Sequence, residues 1–326
     1  MSQKVVICGA GFLGSNIAKA IIHAPAANCK ATRRVQISSR HPEKIHHSLQ
    51  VSLDSDVAAD HILEPVPIDI TNPSTLPPAF QHANVVVSLV GILYGKNADF
   101  ERIQWHGADN VAKAAQAVGA KLIHISAIGA DEHSEIPYAR TKGLGEKAVM
   151  EACPSATIIR PSIIFGPGDS FFTRFAKMSA LQPFMPAVGG GYTNFQPVYV
   201  GDIARAVEII SRDDPEIRKL VDGKIIEAGG PDVMSLREIL EATLHYKKRW
   251  RPVVPVPFFV ATLQASILEH LPQNLFTITR DQVKQLKIDN VVNPSPPPNY
   301  VSFKDLLEKY SGQSLSCVHD ILPKYI

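Results

Sequence analysis

Tyr138-Ala-Arg-Thr-Lys142 sets a phenol and an ammonium four residues apart. On a helix both groups share one face. A free tyrosine titrates near ~10 and transfers protons poorly at neutral pH, so a fixed positive charge beside it is what makes the phenolate accessible. Lys142 is the residue spaced to supply that charge. Ser126 closes an apolar run twelve residues before the tyrosine, at the carboxyl end of a strand, where open α/β sheets bind their ligands. Its hydroxyl is suited to hold a substrate oxygen and the phenol, and the three together would protonate a carbonyl as hydride arrives. The plainer reading is an amphipathic helix that shows a Tyr and a Lys. Gly143 and Gly145 each cost such a helix roughly 1 kcal/mol against alanine, so it depends on tertiary support.

A hydride calls for a nicotinamide, and Gly9-Ala10-Gly11-Phe12-Leu13-Gly14 offers the place for one. The motif follows the first strand-like run and opens the first helical one, the context that gives it meaning. Gly9 permits the turn, Gly11 lets the backbone approach a pyrophosphate, and Gly14 lets helix pack on strand. Phe12 and Leu13 fall in the first helical turn, whose amides and positive potential suit a diphosphate. The second strand ends Ile37-Ser38-Ser39-Arg40, without the carboxylate that would accept from a free ribose 2′-hydroxyl. Arg40 beside Ser39 suits a 2′-phosphate, which favours NADP(H) over NAD. A solvated surface arginine is the competing reading. Asp69 is placed to accept from the adenine amino group and is equally explained as a turn residue.

These side chains need a scaffold. Residues 4–8 form a short apolar run, after which Leu13, Ile17, Ala20 and Ile21 recur at helical spacing. Residues 34–38, 85–90, 122–126 and 157–159 read as strands, with helices predicted over 108–118 and 138–150. Repeated β-α-β units imply an α/β fold, a Rossmann-type doubly wound parallel sheet over residues 1–165. Beyond Gly166, Gly and Pro clusters separate shorter periodic segments. They predict a smaller C-terminal α/β lobe for substrate or partner over residues 166–326, with some strands returning to the main sheet. Residues 203–210 and 236–244 have helical spacing, the second behind a Ser235/Glu238 capping box. The proline-rich stretch 293–299 reads as a stiff connector before a helix at about 303–310.

At 326 residues, 45% apolar and 20% charged, the chain is globular rather than disordered or disulfide-stapled. A formal charge of +2 gives no footprint for nucleic acid. Cys8, Cys29, Cys153 and Cys317 form no C-x-x-C pair, which suits a reducing compartment and argues against zinc. His46-His47 lacks the i, i+4 spacing of paired metal ligands and reads as surface histidine. No metal site is expected. The first strand begins too early to leave a cleavable presequence in view. Residues 252–268 are uncharged but broken by prolines, hence non-spanning. Tyr246-Lys-Lys-Arg-Trp-Arg251 beside them could rest on an anionic membrane surface or be a basic loop feeding the C-terminal lobe. Phe171, Phe172 and Phe175 read as filling for a lobe interface or pocket wall.

The residues resemble those of an atypical short-chain dehydrogenase/reductase with an extended-type C-terminal lobe. The likeness covers about residues 4–292 and rests on Val86-Val-Ser-Leu-Val90-Gly91-Ile, His124-Ile-Ser-Ala-Ile-Gly-Ala-Asp131, Arg160-Pro161, Phe165-Gly-Pro-Gly-Asp169, Pro197-Val-Tyr-Val-Gly-Asp202, Thr279-Arg-Asp-Gln-Val283 and Asp289-Asn-Val-Val292. These are similar to one subgroup: the NADPH-binding accessory subunit of mitochondrial complex I, its bacterial relatives, and fungal mitochondrial proteins of coenzyme Q synthesis. The resemblance implies a tightly held NADP(H), with Val90, Gly91 and Pro161 joining Tyr138 and Lys142 around it. It also implies a mitochondrial setting, in the matrix or peripheral on the inner membrane. Two roles follow from it. One is reduction of a carbonyl or quinone-type intermediate in ubiquinone biosynthesis. The other is a non-catalytic accessory or assembly subunit in contact with a protein complex or membrane. Cys8 stands where the family usually has a further glycine.

Overall fold

The computed structural model of the protein describes residues 2–24, 32–270, 272 and 274–326, apart from the side chains of residues 55, 56 and 58. Cys29 lies outside the described residues. In chain order the strands are β1 (Ser2–Cys8), β2 (Thr32–Ser39), β3 (Ile62–Pro67), β4 (Val85–Ser88), β5 (Lys121–Ile125), β6 (Thr157–Pro161), β7 (Ile164–Phe165), β8 (Met185–Val188), β9 (Asn194–Phe195), β10 (Val198–Tyr199), β11 (Ile225–Ala228), β12 (Met234–Ser235) and β13 (Val253–Val256). The helices are α1 (Phe12–Ile22), α2 (Glu43–Val51), α3 (Ser55–His61), α4 (Leu76–Phe80), α5 (Asn97–Phe100), α6 (Gly107–Ala117), α7 (Pro137–Ala152), α8 (Phe172–Leu181), α9 (Val200–Ile210), α10 (Pro215–Val221), α11 (Leu236–Tyr246), α12 (Phe258–Leu268), α13 (Arg280–Gln285), α14 (Phe303–Ser311) and α15 (Val318–Ile321).

The chain divides into two compact units. The first comprises Met1–Pro161, Gly201–Ala228 and Ser295–Ser314. Its parallel sheet has seven strands in the order β11-β6-β5-β4-β1-β2-β3. The strand order therefore runs outward in one direction through β1, β2 and β3, then in the other from β4. The reversal between β1 and β4 opens a crevice at the carboxyl ends of the strands. Val6, Val86 and Leu122 are buried on one face with Leu76, Phe80, Val111, Ala115 and Val149 from the helices over it. Their neighbours Val5, Ile7, Val87 and Ile123 point to the other face by strand alternation and are equally buried. A bidentate ion pair ties α7 to β6, with Arg160 Nε and Nη2 on the Glu146 carboxylate at 2.9 and 2.6 Å. Arg160 also donates to the Tyr300 hydroxyl, at 2.6 Å, where the chain has returned to lie along β11.

The second unit comprises Ser162–Val200, Gly229–Pro294 and Leu315–Ile326. Three two-stranded pairs, β7 with β10, β9 with β12 and β8 with β13, replace a continuous sheet. Phe165 and Phe172 are fully buried, and Phe171 packs edge-on against Phe172 and Phe175. The three phenylalanines of residues 171–175 thus belong to this unit's own core. The hydroxyl of Tyr325 donates to the carboxylate of Asp169, fixing the last helical turn to the Gly-Pro-Gly-Asp loop. The Ser235 capping box forms, with the Ser235 amide donating to Glu238 Oε2 at 2.7 Å.

Several details depart from the pattern in the sequence. The unit boundary falls at Pro161 rather than at residue 165, and α14 rejoins the first unit. The strand expected over 85–90 leaves the sheet after Ser88. A π-helical stretch, Glu101–His106, precedes α6, widening the turn that faces α7. His46 is buried, not a surface residue, while His47 is exposed. No group of three or more metal-ligating side chains occurs among the described residues. Nor is any described helix long and apolar enough to cross a membrane.

His124 is buried on β5, with Nδ1 3.2 Å from Ser88 Oγ. Burial, with Lys142 adding to it, pushes its pKa down to about 3. Below the ordinary value near ~6.5 the unfolded chain binds a proton that the folded imidazole refuses, so stability rises with pH across this window and is lost as pH falls. Urea unfolding of His124→Gln from about pH 7 to about pH 4 should show a shallower fall than wild type, by at most ~1.4 kcal/mol per pH unit. Equal slopes would exonerate this imidazole.

Candidate dinucleotide cleft

The turn from β1 into α1 is built by two contacts that only glycine permits. Gly9 has φ +147°, and a Cβ there would meet Leu89 at 2.8 Å. A Cβ on Gly14 would lie 2.1 Å from the Gly9 carbonyl oxygen, so the first turn of the helix rests on the strand end. Gly11 differs, since a Cβ there would meet nothing within 4 Å. It is the N-cap of α1, no side chain caps the helix, and no acidic residue stands in its first turn. Open amides and the positive end of the helix dipole are therefore left facing free space, and the chemistry of this cradle fits a diphosphate.

Across the crevice, Tyr138 and Lys142 both come from α7. Gly143 and Gly145 account for how that helix is held. A Cβ on Gly143 would sit 2.3 Å from the Glu132 amide nitrogen, and one on Gly145 would sit 2.3 Å from the Gln104 carbonyl oxygen. The two glycines thus allow a loop and the π-helix to press on α7, and their propensity cost is offset by packing. Lys142 Nζ donates to the carbonyls of Val90 at 2.8 Å and Ile125 at 3.2 Å. Gly91 gives it room, as a Cβ there would lie 3.1 Å from Nζ.

Burial lowers the Lys142 pKa to about 8, against the opposing pull of Glu146. The Tyr138 ring stands edge-on to Phe100 at 6.3 Å. Burial pushes its phenol up to about 12. Spacing alone assigns Lys142 the opposite effect, that of making the phenolate accessible. The ammonium is turned into two carbonyls, and desolvation of the phenol prevails. Ser126 Oγ is buried and has no hydrogen-bond partner among the described residues.

A cleft of about 240 Å³ joins these groups. It is lined by Gly9, Gly11, Leu13, Gly14, Val90, Gly91, Ser126, Tyr138 and Lys142, together with Leu89, Ile92, Leu93 and Ile125. The last four were not picked out from sequence, although Leu89 and Ile125 sit at the carboxyl ends of β4 and β5, where such residues are to be sought. Phe12, Ser39, Arg40, Asp69 and Pro161 are not on its wall. Phe12 starts α1, and Pro161 ends β6 with its carbonyl accepting from the Ile128 amide. Ser39 ends β2 and Arg40 follows it, exposed. Asp69 Oδ1 accepts from the Thr71 amide and hydroxyl, which makes it a turn residue. Its pKa is lowered chiefly by those bonds, with Arg40 and Arg102 adding to the effect. Arg102 is a second cation in this region that the motif reading missed.

A doubly wound sheet, a glycine cradle at its switch point, and Ser, Tyr and Lys converging beside it define an NAD(P)-binding protein of the short-chain dehydrogenase/reductase class. A model of the 3-beta hydroxysteroid dehydrogenase/isomerase family matches residues 5–224, and the chain belongs to that family. It is similar to NADH dehydrogenase (ubiquinone) 1 alpha subcomplex subunit 9, mitochondrial, of Arabidopsis thaliana, with 32% identity over 74% of this chain and 61% of that protein. It is also similar to the mitochondrial NADH-ubiquinone oxidoreductase 40 kDa subunit of Neurospora crassa, with 27% identity over 74% of this chain and 61% of that one. The chain thus spans about 61% of the length of these relatives. Among solved structures, triphenylmethane reductase from Citrobacter sp. complexed with NADP(H) shares the fold, with a TM-score of 0.68 and 18% identity over 99% of this chain and 100% of that one.

The cradle yields a paired expectation. Gly11→Ala should leave the melting temperature unchanged, because its methyl group enters open space, yet weaken coenzyme binding seen by calorimetry. Gly14→Ala should destabilise the fold by about 1–3 kcal/mol in urea unfolding, because the clash is with backbone. The reverse pattern would mean that the cradle is misread.

Proposed function

We propose that the chain is an NADP(H)-binding mitochondrial protein acting as a non-catalytic accessory or assembly subunit, of respiratory complex I or of a membrane-associated complex. The observation that carries this reading is the similarity, over 74% of the chain, to complex I subunits whose names state a mitochondrial location. Neither of these names states a role in ubiquinone synthesis. In this role the α1 amides beside Gly11, Phe12, Leu13 and Gly14 hold the diphosphate, and Arg40 with Ser39 holds a 2′-phosphate. Asp69 would accept from the adenine amino group, while Val90 and Gly91 would border the nicotinamide end. Lys142 orients the ribose. The phenol of Tyr138, raised by burial to about 12, stays protonated at neutral pH.

One observation favours a second reading, a reductase for a carbonyl or quinone-type intermediate of ubiquinone synthesis. Ser126, whose buried hydroxyl has no partner among the described residues, lines the same cleft as Tyr138. The bound coenzyme would supply hydride. Ser126 would hold the substrate oxygen, and Tyr138, protonated, would donate to it.

The two readings separate in one preparation. Mass analysis of nucleotide released from the purified chain should identify NADP(H). NADPH absorbance should then stay constant across quinone and aldehyde substrates. Turnover that disappears in Tyr138→Phe would overturn the accessory role in favour of the enzyme. Arg40→Ala should weaken NADPH binding about ten-fold or more while leaving NADH within about two-fold, since one charge-assisted contact is lost. Equal losses for both would reject the choice of NADP(H).

A further inference from the structure

We propose that the outer face of α12, with the run Lys247-Lys248-Arg249-Trp250, docks the second unit on an anionic lipid surface. Helix α12 contains no charged residue, and only Ala261 and Ala265 are buried. Phe259, Leu263 and Ile267, spaced four apart on one stripe, are 74%, 65% and 62% exposed. A helix apolar on its inner and outer faces alike is one that something else covers. The neighbouring sequence indicates what. From Tyr246 to Leu268 there are four cations and no Asp or Glu. Lys247, Lys248 and Arg249 are exposed, and none has an ion-pair partner among the described residues. Trp250, 88% exposed, stands at the end of this run, a side chain that favours the headgroup layer.

An uncharged stripe, an interfacial tryptophan and unneutralised cations together match an anionic bilayer surface, and the short helix would lie in the interface rather than cross it. A second copy suits the patch less well. A two-fold contact across α12 would bring the three free cations of each copy towards those of the other, without acidic partners in the segment.

The full chain should cosediment with vesicles of phosphatidylcholine mixed with phosphatidylglycerol, much less with phosphatidylcholine alone, and less as salt is raised. Binding to the anionic vesicles should also shift the tryptophan emission to the blue. Replacing all three of Lys247→Ala, Lys248→Ala and Arg249→Ala should weaken binding about five-fold for each cation removed. Leu263→Ser should weaken it on neutral and anionic vesicles alike. The triple variant touches no packed residue, so it decides the matter even if Leu263→Ser fails to fold. Failure to bind anionic vesicles, equal binding to both compositions, or wild-type binding by the triple variant would overturn the proposal. So would a dimer or a captured protein that Leu263→Ser releases in the absence of vesicle binding.

Discussion

Gly14 approaches the carbonyl oxygen of Gly9 so closely that no side chain fits between them. That approach decides where α1 starts and which way its first amides point. Gly9 holds its positive φ because it has no Cβ, and Leu89 packs into the space a Cβ would have taken. Leu89 in turn follows β4, the strand beside β1 at which the order of the sheet reverses. One backbone contact therefore couples the glycine loop to the opposite wall of the crevice. Gly11 takes no part in this packing, which leaves its conformation and its open side to a ligand.

The facing wall is assembled by a comparable economy of side chains. Gly143 and Gly145 bring α7 against backbone, and the Glu146–Arg160 pair anchors the same helix to β6. Lys142 is thereby held at two strand-end carbonyls, and Tyr138 is half-buried beside it. Position and protonation pull in different directions here. The geometry gathers a hydroxyl, a phenol and an ammonium on one cleft, while desolvation keeps the phenol neutral. A site can retain the layout of a reductase and still bind coenzyme chiefly to stabilise its own fold, because binding to the folded state alone adds stability by mass action.

The first unit was largely legible, because strands buried on both faces read as apolar runs and the glycine motif has one structural meaning between a strand and a helix. That Tyr138, Lys142 and Ser126 share one cleft was legible for the same reason: helical and strand periodicity put them at one end of the sheet. What local pattern did not disclose came from packing between distant segments. Gly143 and Gly145 look like a weakness until the backbone of residues 104 and 132 is set against them. The π-helix before α6 has no periodic signature in so short a stretch, and His46 is hidden by tertiary packing that adjacent histidines do not announce. The Lys142 effect on Tyr138 was expected from spacing alone, whereas the direction in which the ammonium turns depends on two carbonyls that spacing says nothing about.

The discontinuity of the first unit has a bearing on how the chain is made. Strand β6 waits for β11 to cover its edge, and β11 pairs further with the backbone around Tyr300. During vectorial synthesis on the ribosome, the whole insertion between β6 and α9 emerges before that edge can close. The nascent sheet is thus exposed along β6 for an interval set by elongation speed, a window in which chaperone capture competes with misassociation.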